Sequence, residues 1–349
     1  MRIAVCHPHT PFARGGAEMH TRSLVRALEA AGHHVDVVSI PYKWYPPAEL
    51  IHQMALWRSL DLSEAGGVPI DLVIALRFPG YLVRHERKIV WLIHQHRTAY
   101  ELWDHPDFAD LSTHEAGQAV RDMIHHADRL ALGEAKRIFT NSGNVQERLR
   151  RSQGIESEPL YHRSDLCETL LRTEPGPYGD YILFPSRLEP IKRQALAVEA
   201  MRHVRSPVRL VLVGSGPDQE SLLRSIQAAG IKERVELAGR VPDEGLVELY
   251  RGALAAYYGP FDEDFGYVTL EAMAVRRPVV VTSDSGGPLE FVRDGVNGLV
   301  AAPKPRAIAA AFDRLHAQRD RLPAMGAAGR TTVDERVPGW PEVVARLLS

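Results

Sequence analysis

Cysteine is nearly absent: Cys6 and Cys167 are the only two in 349 residues. They lie far apart and outside any metal-ligand spacing, which suits a reducing compartment better than a disulfide framework, and both read as free thiols. Net charge is equally scarce. Forty-two Lys and Arg against 44 Asp and Glu leave a formal charge of -2, which offers no global field for nucleic acid, and no nucleic-acid partner is expected. Long apolar runs are missing too. None approaches the roughly 20 residues of a membrane span, and Ile3 to Cys6, followed by His7 and Pro8, is too short for a signal-peptide core. A cytoplasmic protein is the expectation, with peripheral contact at the inner membrane surface through an amphipathic helix left open.

Short internal repeats and low-complexity tracts are also lacking. What is present is average soluble composition, 45% apolar and 25% charged, in a chain longer than one hydrophobic core usually serves. Short apolar runs alternate with longer amphipathic segments, the pattern of strands and helices around parallel sheets. Ile3–Cys6, Val35–Ile40, Leu72–Ala75, Lys88–Ile93 and Arg137–Thr140 read as strands of one doubly wound α/β half. Tyr181–Phe184, Arg209–Val213, Arg234–Ala238, Ala255–Tyr258 and Pro278–Val281 read as strands of a second. The turn-rich stretch Thr173–Asp180 is the expected junction, giving domains over 1–172 and 173–330. A tail over 331–349 carries an apolar helix, Trp340–Leu348, expected to return to the first domain.

In open parallel sheets ligands sit at the carboxyl ends of strands, where helix N-termini present N–H groups to phosphates. Gly15 and Gly16 precede the helical pattern of Met19–Ala31 and let backbone approach a ligand closely. Val213-Gly214-Ser215-Gly216 also follows a strand, but Gln219 occupies the third glycine position of a dinucleotide fingerprint. A tight turn into the helix Gln219–Ala229 accounts for it, and NAD is not inferred. Arg187 and Lys192 lie just beyond Tyr181–Phe184, where a guanidinium fork and an ammonium suit a diphosphate and the charge that develops as it leaves.

The densest segment runs from Gly259 to Ala274. Glu263 and Glu271 flank Asp264, Phe265 and Gly266, placing one carboxylate on a loop and one on the following helix, Tyr267–Val275, toward one groove. Carboxylates accept paired hydrogen bonds from vicinal hydroxyls, as sugars present them. Asp262-Glu263-Asp264 also matches a D-x-D metal pattern, but acids at a helix N-terminus are explained by the helix dipole, and no metal or other cofactor is expected. His94 ends the apolar run Ile89–Ile93 at a strand's carboxyl edge, where an imidazole can hydrogen-bond a hydroxyl at a reacting centre.

In order, Gly15-Gly16-Ala17-Glu18-Met19-His20, the His94 strand end, Phe139-Thr140-Asn141-Ser142, Pro185 to Lys192, Glu263 to Met273, and Gly286-Gly287-Pro288 with Asp294 to Gly298 resemble glycosyltransferase family 4. The resemblance spans nearly the whole chain. It implies a GT-B fold, two Rossmann-like domains facing across a cleft, with an acceptor side in the first and a nucleotide-sugar donor site in the second. Arg187 and Lys192 match the family's donor-diphosphate pair, Glu271 its ribose glutamate, Glu263 with Phe265 and Gly266 its donor-sugar contacts, Gly16 its phosphate-side loop and His94 its active-site histidine. The implied reaction is transfer with retention from a UDP-sugar or GDP-sugar to a hydroxyl acceptor, the leaving phosphate helping to deprotonate the acceptor. A nucleotide-sugar epimerase and a non-catalytic nucleotide-sugar-binding protein are the alternatives.

Four positions depart from the family pattern by replacing glycine: Ser186, Arg193, Asp264 and Arg276. Asp264 stands beside hydroxyls by which the family tells hexoses apart, so the donor sugar stays open. The acceptor is open as well, with Tyr42–Tyr45 and Tyr100–Trp103 as candidate lining.

Overall fold

The computed structural model describes residues 1–12 and 15–349. The chain forms two compact units, Met1–His162 with Gly339–Ser349, and Arg163–Pro338. In the first unit β1 (Arg2–Cys6), β2 (His34–Val38), β3 (Leu72–Ala75), β4 (Lys88–Leu92), β5 (Arg137–Thr140) and β6 (Glu158–Pro159) form one sheet. Every pairing is parallel, and the spatial order is β2-β1-β3-β4-β5-β6.

Both faces of this sheet are covered, which is why its central strands read as unbroken apolar runs rather than as alternation. Ala4, Cys6, Val73, Ala75, Val90 and Leu92 share a core with Leu50, Met54 and Trp57 of the helix Ala48–Ser59 and Val120 and Ile124 of the helix Gly117–Gly133. Their sequence neighbours Ile3, Val5, Leu72, Ile74, Ile89 and Trp91 join Leu24 and Leu28 of the helix Gly16–Ala30 on the other side. Val343, Val344 and Leu347 of the helix Trp340–Leu348 complete that second core. The tail helix is thus part of the first unit. Each Val, Leu, Ile or Met side chain among them, fully buried, contributes about 1.5–3 kcal/mol relative to exposure.

The second sheet contains β7 (Tyr181–Pro185), β8 (Arg209–Val213), β9 (Val235–Gly239), β10 (Ala255–Tyr257), β11 (Val279–Thr282) and β12 (Gly298–Ala301). Its order is β9-β8-β7-β10-β11-β12, again all parallel. Chain direction across the sheet reverses between β7 and β10 here, and between β1 and β3 in the first sheet. Such switch points open a crevice at the strands' carboxyl ends.

The boundary between units falls at His162/Arg163, earlier than the junction expected at Thr173–Asp180, and again at Pro338/Gly339 rather than 330/331. Packing explains the first shift. Side-chain atoms at Gly176 and Gly179 would lie 2.9 and 2.3 Å from the carbonyl oxygens of Arg251 and Gly252. The Tyr178 hydroxyl donates to the carbonyls of Arg276 and Leu322. These glycines serve close backbone contact, not a flexible linker. The preceding helix, Asp165–Leu171, packs on Tyr267–Ala274 and so belongs to the second unit.

Candidate active site

At the second unit's switch point β7 runs into Ser186-Arg187 and a short turn, Pro190–Lys192. Lys192 Nζ donates to Glu263 Oε2 at 2.6 Å, with both side chains largely withdrawn from solvent. A charge-assisted bond of that length holds both groups in place. Lys192 also lies 3.4 Å from the Tyr258 hydroxyl. Burial, followed by the charge of Glu263, pushes the Tyr258 phenol well above its usual range, while Arg187 acts in the opposite sense. Tyr258 follows β10 directly, yet nothing in its sequence context singled it out. Arg187 pairs with Glu189 at 2.7 Å and its side chain is 47% exposed. Exposed pairs of this kind contribute only about 0–1 kcal/mol, so Arg187 can turn to another anion at little cost.

Backbone bonds lock the carboxylate loop against the cation loop and, more extensively, against the turn that follows β11. Phe261 N donates to Ile191 O, Asp262 N to Asp284 O and Glu263 N to Ser285 O. Gly287 N closes the set by donating to Glu263 O. A Cβ on Gly287 would lie 2.5 Å from the Asp264 carbonyl oxygen, so the Gly286-Gly287 pair exists to seat the Glu263 loop. Gly214 and Gly216 do the same for the cation loop, where added Cβ atoms would lie 2.0 Å from Ser186 O and 2.2 Å from Leu188 O. A tight turn alone, the expectation for that G-x-G, leaves out this close approach, and the glycine spacing was its only sequence signal.

Gly266 adopts φ +87°, and a Cβ there would stand 2.6 Å from Pro288 Cγ. It caps the helix Tyr267–Ala274 and so aims that N-terminus along the loop. Phe265 is a packing residue, edge-on to Tyr267 and Phe291. Glu271 is not presented to an open groove. Only 5% exposed, its carboxylate accepts the Ser164 hydroxyl at 2.7 Å and the Tyr250 hydroxyl at 2.9 Å. Burial raises its pKa and these two hydroxyls oppose the shift. Arg187, Lys192, Tyr258, Glu263 and Asp264 are therefore one cluster, and Glu271 with Ser164 and Tyr250 forms another.

In the first unit Gly15 precedes the helix Gly16–Ala30, and its carbonyl accepts from Met19 N. Glu18, in the first turn, accepts from Arg77 at 3.3 Å beside the ends of β1 and β3. Burial raises the Glu18 pKa, but His7 and Arg77 outweigh it and hold the carboxyl at about 2. His94 lies just past β4, with its Nδ1 2.7 Å from Gln95 O. His96 follows, half-buried, its Nδ1 3.1 Å from the Tyr42 hydroxyl. The Tyr42–Tyr45 segment thus borders the His94 loop; Trp44 and Tyr45 are exposed on it. Asp128 behind that loop escaped sequence reasoning, because its partners are scattered along the chain.

Two Rossmann-like units with these sheet orders define the GT-B glycosyltransferase fold. Sucrose-phosphate synthase from Thermosynechococcus elongatus is similar over 99% of this chain and 97% of its own, with a TM-score of 0.77 and 19% identity. HepE from Anabaena, in complex with UDP and glucose, is similar over 100% and 98%, with a TM-score of 0.68 and 17% identity. In sequence, residues 14–162 match Glycosyltransferase Family 4 and residues 175–332 match Glycosyl transferases group 1. A D-inositol 3-phosphate glycosyltransferase from Acidothermus cellulolyticus is 29% identical over 350 residues, covering 86% of this chain and 78% of its own. The chain belongs to this glycosyltransferase family and is an enzyme of it.

Proposed function

We propose that the protein transfers a hexose or related sugar, with retention, from a nucleoside diphosphate sugar to a hydroxyl acceptor, without a metal. The observation that carries this reading is the Lys192–Glu263 pair beside Arg187 at the second sheet's switch point. A diphosphate there meets two cations and a helix N-terminus, which offset the charge that develops as the bond from sugar C1 to phosphate oxygen breaks. Glu263 and the backbone around Asp264 and Gly266 face the sugar. Glu271 already holds two hydroxyls, the donor set that a ribose diol supplies in their place. The acceptor's hydroxyl proton passes to the leaving phosphate as the new C1–O bond forms on the same face. In the first unit, His94 is assigned to the reacting centre and Gly16 to the phosphate side.

The test is a panel of UDP- and GDP-sugars, with and without EDTA, followed by nucleotide release and thermal shift. A shift with at least one donor that survives EDTA is expected. Failure to bind every donor would sink the proposal, and turnover independent of added acceptor would point to an epimerase. Removing both Arg187 and Lys192 should lower turnover by about 10²–10³-fold, the scale seen when charge-stabilising donors are deleted. Glu271→Ala should weaken donor binding, whereas His94→Ala should leave binding intact and lower transfer.

A further inference from the structure

Behind the His94 loop lies a carboxylate that neither the fold nor the donor site requires. Asp128, on the helix Gly117–Gly133, is wholly buried. Its Oδ1 accepts the Tyr81 hydroxyl at 2.9 Å, and its Oδ2 accepts both the Tyr100 hydroxyl at 2.7 Å and Gln95 Nε2 at 2.9 Å. All three hydrogen-bonding partners are neutral donors. A buried acid held that way costs stability compared with an apolar residue of similar volume.

The bonds around Gln95 show what the carboxylate orders. With Nε2 turned to Asp128, Gln95 Oε1 faces the Ser152 hydroxyl and accepts it at 3.0 Å. That fixes the amide's orientation, since a carboxylate can only receive the NH₂ group. The side chain is then clamped at both ends, and the Gln95 backbone carbonyl is held toward His94 Nδ1 at 2.7 Å. A carbonyl only accepts, so the proton of the neutral imidazole must sit on Nδ1, and the acceptor lone pair is on Nε2.

We infer that Asp128 is a positioning residue which, through the side chain and carbonyl of Gln95, fixes His94 as its Nδ1–H tautomer, so that Nε2 meets a substrate hydroxyl as an acceptor. The inference rests on the proposed active-site role of His94 for its catalytic consequence but not for the tautomer itself. Tyr100 extends the brace, because its hydroxyl also receives Gln153 Nε2 at 2.8 Å and its ring stacks on His125 at 4.3 Å. The arrangement is that of an outer carboxylate orienting a histidine, with an amide interposed.

Long-range ¹H–¹⁵N correlation spectra of histidine-labelled protein at pH 8, assigned with His94→Gln, read the tautomer directly. The wild-type ring should be Nδ1–H. Gln95→Met and Asp128→Asn should each shift it toward the Nε2–H form that predominates in free histidine. With UDP-glucose and GDP-mannose as probe donors, each variant should lower nucleotide release at least tenfold and add nothing when combined with His94→Ala. A ring that stays Nδ1–H in both variants overturns the inference, as does a loss that multiplies with that of His94→Ala. If wild-type protein releases no nucleotide from either donor, the enzymatic reading fails while the spectra still decide the positioning role. Gln95→Met keeps the test open should Asp128→Asn unfold.

Discussion

Arg193 and Arg276 share a backbone conformation that disfavours side chains, φ +58° in each. Both stand where the family pattern has glycine, and their surroundings differ. Arg193 donates to the carbonyls of Gly259 and Pro260, to Thr282 and to both oxygens of Asp284, so strain of roughly 1–2 kcal/mol is offset by bonds that anchor the loop leading to Glu263. The Arg276 side chain is exposed. Arg193→Gly should therefore destabilise the protein by about 1–3 kcal/mol, whereas Arg276→Gly should be neutral or stabilise it by up to about 1 kcal/mol; urea titration distinguishes the signs. Asp128 supplies a pH-dependent counterpart. Burial raises its pKa from 3.8 to about 6, against the pull of its three hydrogen bonds. Below about pH 3 it is protonated in both states. As pH rises to about 6 the unfolded chain ionises first, so native stability falls relative to Asp128→Asn by about 3 kcal/mol, then levels off. Paired urea titrations across that range check this, and a constant difference would contradict it.

At the scale of elements, the loops that hold Arg187 and Glu263 are positioned by glycines in close contact with their backbone. Gly216 isolates the effect, because its φ is not in the left-handed region, while an added Cβ would stand 2.2 Å from Leu188 O. Gly216→Ala should displace the cation loop, cost about 1–3 kcal/mol of stability and, on the proposed donor reading, weaken nucleotide binding, titrated with UDP and with GDP, by at least tenfold in calorimetry. Unchanged nucleotide affinity would mean that the loop yields elsewhere. These elements also show what could be read from sequence. The central strands and the stretches Pro185–Lys192 and Glu263–Glu271 were legible because each is contiguous and apolar or polar along its own length. The edge strands β6 and β12 were not: β6 is only two residues long, and β12 starts at the glycine that ends the turn-rich stretch Asp294 to Gly298. The partners of Glu271, Ser164 and Tyr250, and those of Asp128 lie on separate elements and leave no periodic trace. Gly176 and Gly179 misled for a related reason: glycine marks freedom and close contact with the same letter.

The whole molecule joins two units by a chain that leaves the first and later re-enters it. No helix among the described residues is long and apolar enough to cross a membrane. Leu347, fully buried with Ile3, Val5 and Leu24, ties the returning helix into the first core. Leu347→Ala should cost about 2–5 kcal/mol, and hydrogen exchange should show the loss in β1 and β4 but not in β7 and β8. Equal acceleration in both sheets would mean that the units unfold as one.

That re-entrant helix also sets an order of events during synthesis. A chain emerging from its N-terminus exposes β1 to β6 first, but the side of that sheet lined by Ile3, Val5 and Trp91 waits for Val343, Val344 and Leu347. Residues 163–338 are made in the interval and contain every strand of the second sheet. The unit translated second is therefore the first able to finish folding, and the earlier one spends that interval with an apolar face only partly covered, by Leu24 and Leu28, a state open to chaperones and to aggregation.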